Sequence, residues 1–175
     1  SVASRGLGDV YKRQILIFCN SLYIASSMAN NLIIEEKPGF GSKFQDINSK
    51  DLKLSDFAGK LLLINLWATW CEPCKEEMPS LDRLQKQYNK EDFHILAISI
   101  DRGPKKNSAN FFVDYKISNI DLFFDDKNNI PREVRAAGLP FSLFINQEGK
   151  QIAKLIGPAE WDSIYFKDFV NSNLN

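Results

Sequence analysis

Residues 61–80 constrain this chain more than any other stretch. The run Leu61-Leu-Leu-Ile-Asn-Leu-Trp67 passes through Ala68-Thr69-Trp70 into Cys71-Glu72-Pro73-Cys74, and then into the charged sequence Lys75-Glu76-Glu77-Met78-Pro79-Ser80. An apolar run broken only by Asn65 suits a strand buried on both faces in a parallel or mixed sheet. Behind it, Cys74, Met78, Leu81, Leu84 and Tyr88 recur at spacings of three and four. That spacing predicts a helix to about Asn89 with one buried stripe, kinked at Pro79. The two cysteines therefore fall at a strand-to-helix junction. With the second in the first helical turn they can close a disulfide, and the free amide groups there stabilise a thiolate.

The rest of the composition narrows the chemistry. Only three cysteines are present, Cys19, Cys71 and Cys74, with a single histidine, His94. That is too few for a disulfide-stapled scaffold or a four-cysteine zinc site, so a redox pair outranks a structural or metal role. Twenty-two acidic and 22 basic residues balance, which gives no reason to expect nucleic acid as a partner. A length of 175 residues suits one domain with an appendage.

Residues 1–14 look unlike the remainder and resemble a translated sequencing-adapter tail, so they are read as non-native. Residues 15–29 form a short apolar stretch ending in Ser27-x-Ala29, as in a secretory signal peptide; a truncated membrane anchor is the alternative. Residues 30–42, with Pro38-Gly39, read as a linker, and the folded domain is expected over 43–175. Within it we expect a hairpin from 43–47 and 52–54, the buried strand and its helix, and a strand over 93–100. A second helix follows, marked by Ala109, Phe112, Val113 and Ile117, then a short strand at 122–124 and a helix over 129–137 capped by Gly138. A late hairpin pairs 141–145 with 151–156, and Trp161, Ile164, Tyr165 and Phe169 outline a last helix whose apolar face would cover the sheet. This order implies an α/β fold, a mixed central sheet with helices on both faces.

Trp70-Cys71-Glu72-Pro73-Cys74 after a buried strand, Pro79 beyond it and Gly138-Leu139-Pro140 before a late strand together resemble the thioredoxin superfamily. Within it, residues 65–79 and Gly157-Pro158-Ala159-Glu160-Trp161 are similar to the periplasmic TlpA-like thiol:disulfide oxidoreductases, the TlpA, ResA and CcmG group. The resemblance covers roughly residues 40–173. It implies a thioredoxin-like fold with an N-terminal hairpin and a strand-helix insertion, and a cis Leu139-Pro140 bond packed against the disulfide.

The residues themselves assign roles. Cys71, at the helix start with its sulfur exposed, is the expected nucleophile, and Cys74, one turn inside, the resolving thiol. Glu77 lies on the Cys74 side of the helix, where burial would raise its pKa and suit it to exchanging a proton with Cys74. Ordinary thioredoxins carry a buried acid on the strand where this chain has Asn65, and the TlpA resemblance places a glutamate at the Glu77 position instead. Trp70, Glu72, Pro73 and Leu139 are expected to form the substrate rim beside Pro140, although Phe141 departs from the Thr or Ser usual after that proline. His94 reads as surface or edge packing, and Asp125 to Asn129 lacks the pattern of a calcium loop.

The expected activity is reduction of client protein cysteines, the protein being periplasmic, secreted or anchored to the inner membrane. The TlpA resemblance points to cytochrome oxidase copper-site assembly, with apocytochrome c reduction as the alternative. Partners would be an oxidised client and a membrane thiol-disulfide donor; no cofactor beyond the Cys71–Cys74 disulfide is expected, and the protein should act as a monomer. A copper chaperone would place three residues between the cysteines and add a His or Met ligand. A peroxidase on a related fold would need a Thr or Ser three positions before the cysteine, where Ala68 stands.

Overall fold

The computed structural model describes residues 32–174; the adapter-like tail, the leader or anchor and Cys19 lie outside the described residues. In chain order the elements are β1 (Leu32–Pro38), β2 (Phe44–Gln45), β3 (Asp51–Leu52), a single 3-10 turn (Leu54–Phe57), β4 (Leu61–Trp67), α1 (Glu72–Gln85), β5 (Phe93–Ser99), α2 (Lys105–Asp114), β6 (Asp121–Phe124), α3 (Asn129–Glu133), β7 (Phe141–Ile145), β8 (Lys150–Ile156) and α4 (Ile164–Asn173). The strands make one eight-stranded mixed sheet in the order β1-β8-β7-β4-β5-β6-β2-β3.

β4 sits in the middle because all of it is apolar apart from Asn65, and every one of its residues is buried. It runs parallel to β5, with Leu61 opposite Phe93 and Trp67 opposite Ser99, and antiparallel to β7, with Asn65 opposite Ser142. Alternation divides its side chains between two cores. Leu61, Leu63 and Trp67 join Met78, Leu81 and Leu84 of α1, Phe111 and Phe112 of α2, and Phe166 and Val170 of α4. Leu62, Ile64 and Leu66 join Phe44, Leu54, Ile130 and Leu143 on the other face. The same alternation puts Asn65 on the face that α1 covers. The two parallel crossovers, through α1 and α2, are what leave the end of β4 open to carry a helix start.

Several expectations change. The segment read as a linker over 30–42 contains a strand: β1 pairs antiparallel with β8, Leu32 opposite Leu155 and Pro38 opposite Lys150. Its side chains lack a clean alternation, and pairing with the edge of β8 supplies what local pattern does not. α1 stops at Gln85 rather than Asn89. The buried Gln85 amide donates to the Phe93 carbonyl at 2.9 Å and its oxygen accepts the Ile95 amide at 2.6 Å, docking the helix end on β5. α2 buries Ser108, Phe111 and Phe112, so Val113 faces solvent at 76% exposure. α3 ends at Glu133 and Gly138 does not cap it; Arg135 already takes a left-handed conformation at φ 54°. In α4 the buried face is Phe166 and Val170, and Ile164 and Tyr165 point outward.

Candidate active site

The chain leaves β4 at Trp67, turns through Ala68-Thr69-Trp70 and enters α1 with Cys71 as the N-cap, its backbone extended at φ −92°, ψ 100°. Pro73 stands in the first turn, where a missing amide hydrogen costs nothing. Cys71 and Cys74 are joined by a disulfide, their Cα atoms 5.3 Å apart. The turn is held from outside the motif by Asp101, which accepts the Thr69 amide at 3.0 Å and the Thr69 hydroxyl at 3.0 Å. Ser99 and Ser108 also donate to that carboxylate, at 2.9 and 3.0 Å. Sequence spacing gave no sign of Asp101, because its partners come from three separate elements.

The sulfur of Cys71 was expected to be exposed, and here the structure corrects the reading. Cys71 is only 6% exposed and belongs to the core that holds Trp67, Ala68 and Met78, and Cys74 is fully buried. Trp70, by contrast, is 69% exposed, and Glu72 and Pro73 are exposed beside it. The rim residues are therefore more accessible than the cysteine they flank.

Glu77 lies one turn after Cys74 on α1 and is almost completely buried. Its Oε1 accepts the Asn65 amide at 2.7 Å. Oε2 accepts two donors, the Ala159 backbone amide at 3.0 Å and the Trp161 indole at 2.9 Å. Asn65 also donates to the Ser142 hydroxyl at 3.0 Å, across the β4–β7 pairing. Burial is the largest influence on the carboxyl and pushes its pKa up to about 7, against hydrogen bonds from Trp161, Asn65 and Ala159 that favour the anion. The result is a carboxyl group that can take or give a proton near neutrality. Asn65 thus occupies the strand position as expected and bonds directly to the acid on the helix.

Leu139-Pro140 is a cis peptide bond, and Pro140 is buried immediately before β7. Phe141 pairs with Leu66, so Pro140 sits at the end of β4 that leads into Cys71. The Pro140 carbonyl accepts the Gly157 amide at 3.0 Å, and half-buried Leu139 packs against the core that includes both cysteines. Cys71, Cys74, Glu77, Pro140, Trp70, Glu72, Pro73 and Leu139 therefore gather at one end of the sheet. His94 does not join them and is not a surface residue: it is 6% exposed, with Nε2 2.7 Å from Asp121. Sequence reasoning placed Trp161 on a helix face; it instead lies in the loop before α4, 84 positions from its partner Glu77.

The sequence profile of the AhpC/TSA family matches residues 35–154. The thiol-disulfide oxidoreductase ResA of Bacillus subtilis (strain 168) is 31% identical over 128 residues, which span 73% of this chain and 69% of that relative. Two solved structures share the fold. The thioredoxin domain of a thiol-disulfide oxidoreductase from Bacteroides vulgatus superposes with a TM-score of 0.66 at 21% identity, over 79% of this chain and 96% of that one. StoA of Bacillus subtilis does so with a TM-score of 0.61 at 17% identity, over 77% and 98%.

Proposed function

The chain belongs to the AhpC/TSA family and is a thioredoxin-like thiol-disulfide oxidoreductase, and from that premise we propose that it is a periplasmic reductant of client protein disulfides. The observation that carries the reading is Glu77. It is a buried carboxyl on the helix of Cys74, held by neutral donors and titrating near pH 7.

In this reading the Cys71 thiolate, stabilised at the start of α1, attacks one sulfur of a client disulfide. A mixed disulfide forms and the client's other sulfur leaves as a thiolate. Cys74 then gives its proton to Glu77 and attacks Cys71 Sγ. The client's second sulfur leaves as a thiolate that takes the proton from Glu77, the first takes one from water, and the Cys71–Cys74 disulfide closes, two electrons having passed to the client. The disulfide form described above is the end of that sequence, and a membrane thiol-disulfide donor returns it to the dithiol. Trp70, Glu72, Pro73 and Leu139 line the client's approach, and the Pro140 segment offers its backbone to an extended client strand.

The direction of electron flow rests on the resemblance of residues 65–79 and 157–161 to the TlpA proteins. On the same ground the client is an oxidised copper-site domain of cytochrome oxidase. Glu72-Pro73 together with Glu77 supports the alternative client, apocytochrome c before haem attachment. Residues 15–29 direct the chain to the periplasm or tether it to the inner membrane, residues 43–175 carry the chemistry with β1 added to their sheet, and the protein acts as a monomer.

Insulin-disulfide reduction tests the activity. Wild type is expected to reduce insulin with a dithiol donor, and Cys71→Ser to lose that activity completely. A wild type with no reductase activity whose reduced form binds copper tightly and stoichiometrically would make the protein a metal carrier instead.

A further inference from the structure

The loop between β8 and α4 is tied to α1 along a single stripe, by residues at intervals of three. Glu77 accepts the Ala159 amide and the Trp161 indole. Ser80 Oγ accepts the Trp161 backbone amide at 3.0 Å and donates to the Glu77 carbonyl at 2.8 Å. Arg83 Nε donates to Asp162 at 2.6 Å and its Nη2 to Glu160 at 2.7 Å. The Trp161 ring is fully buried against Phe166 and Phe144, with centroids 4.5 and 6.2 Å away, so the indole cannot turn away from the carboxylate without opening that core.

A carboxylate oxygen offers two lone pairs. Both on Oε2 are engaged, by Ala159 and Trp161, whereas Oε1 has one donor, Asn65. A proton arriving at Glu77 therefore meets an open acceptor site only on Oε1. We propose that Trp161 is a positioning residue for Glu77: its indole N–H, with the Ala159 amide, occupies Oε2 and assigns the exchangeable proton to Oε1. This deepens the reading of Glu77 as proton carrier, and it predicts that the loop governs how readily the acid ionises.

The surroundings make the effect readable. The groups bonded to the Glu77 carboxyl are neutral, Asn65 on β4 with Ser142 behind it on β7, and Ala159 with Trp161 on the loop; Cys74, one turn before it on α1, is in its disulfide, and no charged group contributes to the Glu77 pKa. The loop's own charges, Glu160 and Asp162, are engaged by Arg83. Removing one neutral donor thus changes the Glu77 equilibrium without altering a nearby charge.

The test follows the Glu77 side-chain carboxyl carbon by NMR across a pH titration of the oxidised protein, in which neither active-site thiol titrates. Wild type should titrate near 7, and Trp161→Phe, which keeps an aromatic ring between Phe144 and Phe166, should titrate about one unit higher, as loss of a hydrogen bond to an anion requires. An unchanged midpoint in a folded Trp161→Phe protein would overturn the proposal. A second measurement does not depend on that variant folding. The Trp161 indole N–H resonance of wild type should move with the same midpoint as Glu77 and lose that movement in Glu77→Gln; an indole resonance that ignores pH between 5 and 9 would overturn it equally. If these resonances behave as expected while Glu77→Gln leaves the pH profile of thiol exchange unaltered, the proton-carrier reading fails and the positioning of Glu77 by Trp161 stands.

Discussion

Two carboxylates, Glu77 and Asp121, are held against opposite faces of this sheet, and they are treated in opposite ways. Burial pushes both toward the neutral form. At Asp121 that pressure is outweighed, because His94 bonds Oδ2 and Lys90 bonds Oδ1, each at 2.7 Å, and the carboxyl is held below its ordinary range. At Glu77 the partners are an amide, an indole and a backbone N–H, and no cation answers the charge. Neutral donors orient the group yet leave burial in control. One site fixes a charge in place; the other keeps a proton available at the pH where thiols exchange.

The largest effect expected from breaking this contrast comes from Glu77→Gln. Removing the titrating group should slow exchange at pH 7 by about 100-fold, in keeping with the ordinary weight of general acid–base catalysis, with the loss falling on the step in which Cys74 attacks. Trapping of Cys74 by an alkylating reagent across pH would locate that loss. Stability should move the other way. Because the folded-state pKa is raised from 4.5 to about 7, the group's contribution is complete below 4.5 and lost as pH rises through 7. Wild type should therefore lose about 2–3 kcal/mol between pH 5 and 8, a slope that Glu77→Gln removes. Denaturant unfolding of the oxidised protein at three pH values checks it; parallel slopes in the two proteins would show that Glu77 is already ionised at pH 5.

Asn65→Asp sharpens the same contrast from the other partner. It sets a second carboxyl where the amide now lies 2.7 Å from Oε1. Two such groups cannot both ionise cheaply, so they should titrate as a pair that keeps one proton well above pH 7, the upper apparent pKa rising by about one to two units. The pH of half-maximal exchange should shift upward with it. An unmoved profile would mean that the Asn65 position is not coupled to the chemistry.

How far the sequence foretells this depends on the range of the forces involved. Cys71, Cys74 and Glu77 share one helix, so their relation is set by a 3.6-residue period and can be counted. Asn65 could be placed too, because a strand buried on both faces still alternates, and its odd-numbered neighbours Leu63 and Trp67 belong to the α1 side. Trp161 was legible as an apolar helix position and as the end of the 157–161 motif, but not as a partner of Glu77. Its tie to Glu77 spans 84 positions, and nothing local marks an indole as a ligand. The same holds for Asp101, whose donors Thr69, Ser99 and Ser108 converge only once β4, β5 and α2 are packed. β1 was missed for a related reason: Ile33 and Ile34 remain exposed at the sheet edge, and the strand exists through its hydrogen bonds to β8 rather than through a buried face.

The smallest effect belongs to Asp121, and it tests whether a charge that is fixed rather than poised matters to function. Its side chain is half exposed, and Lys90 is comparably accessible. Solvent screens such a pair, so Asp121→Asn should cost less than about 1 kcal/mol. The sign of its pH dependence is opposite to that of Glu77. A lowered carboxyl pKa contributes stability above the ordinary value of 3.8 and loses it as pH falls through the folded-state value, so the variant should differ from wild type at pH 7 and converge with it in acid. Asparagine still offers an oxygen to His94 or Lys90, which keeps the loss small and leaves buried His94 with a partner. Reductase activity should be unchanged, because Asp121 begins β6 and bonds His94 on the face of the sheet opposite α1, and shares no hydrogen bond with the Glu77 network. A loss of activity in Asp121→Asn at constant stability would mean that the two faces of the sheet are coupled, and that the pKa of Glu77 depends on more than the neutral groups touching it.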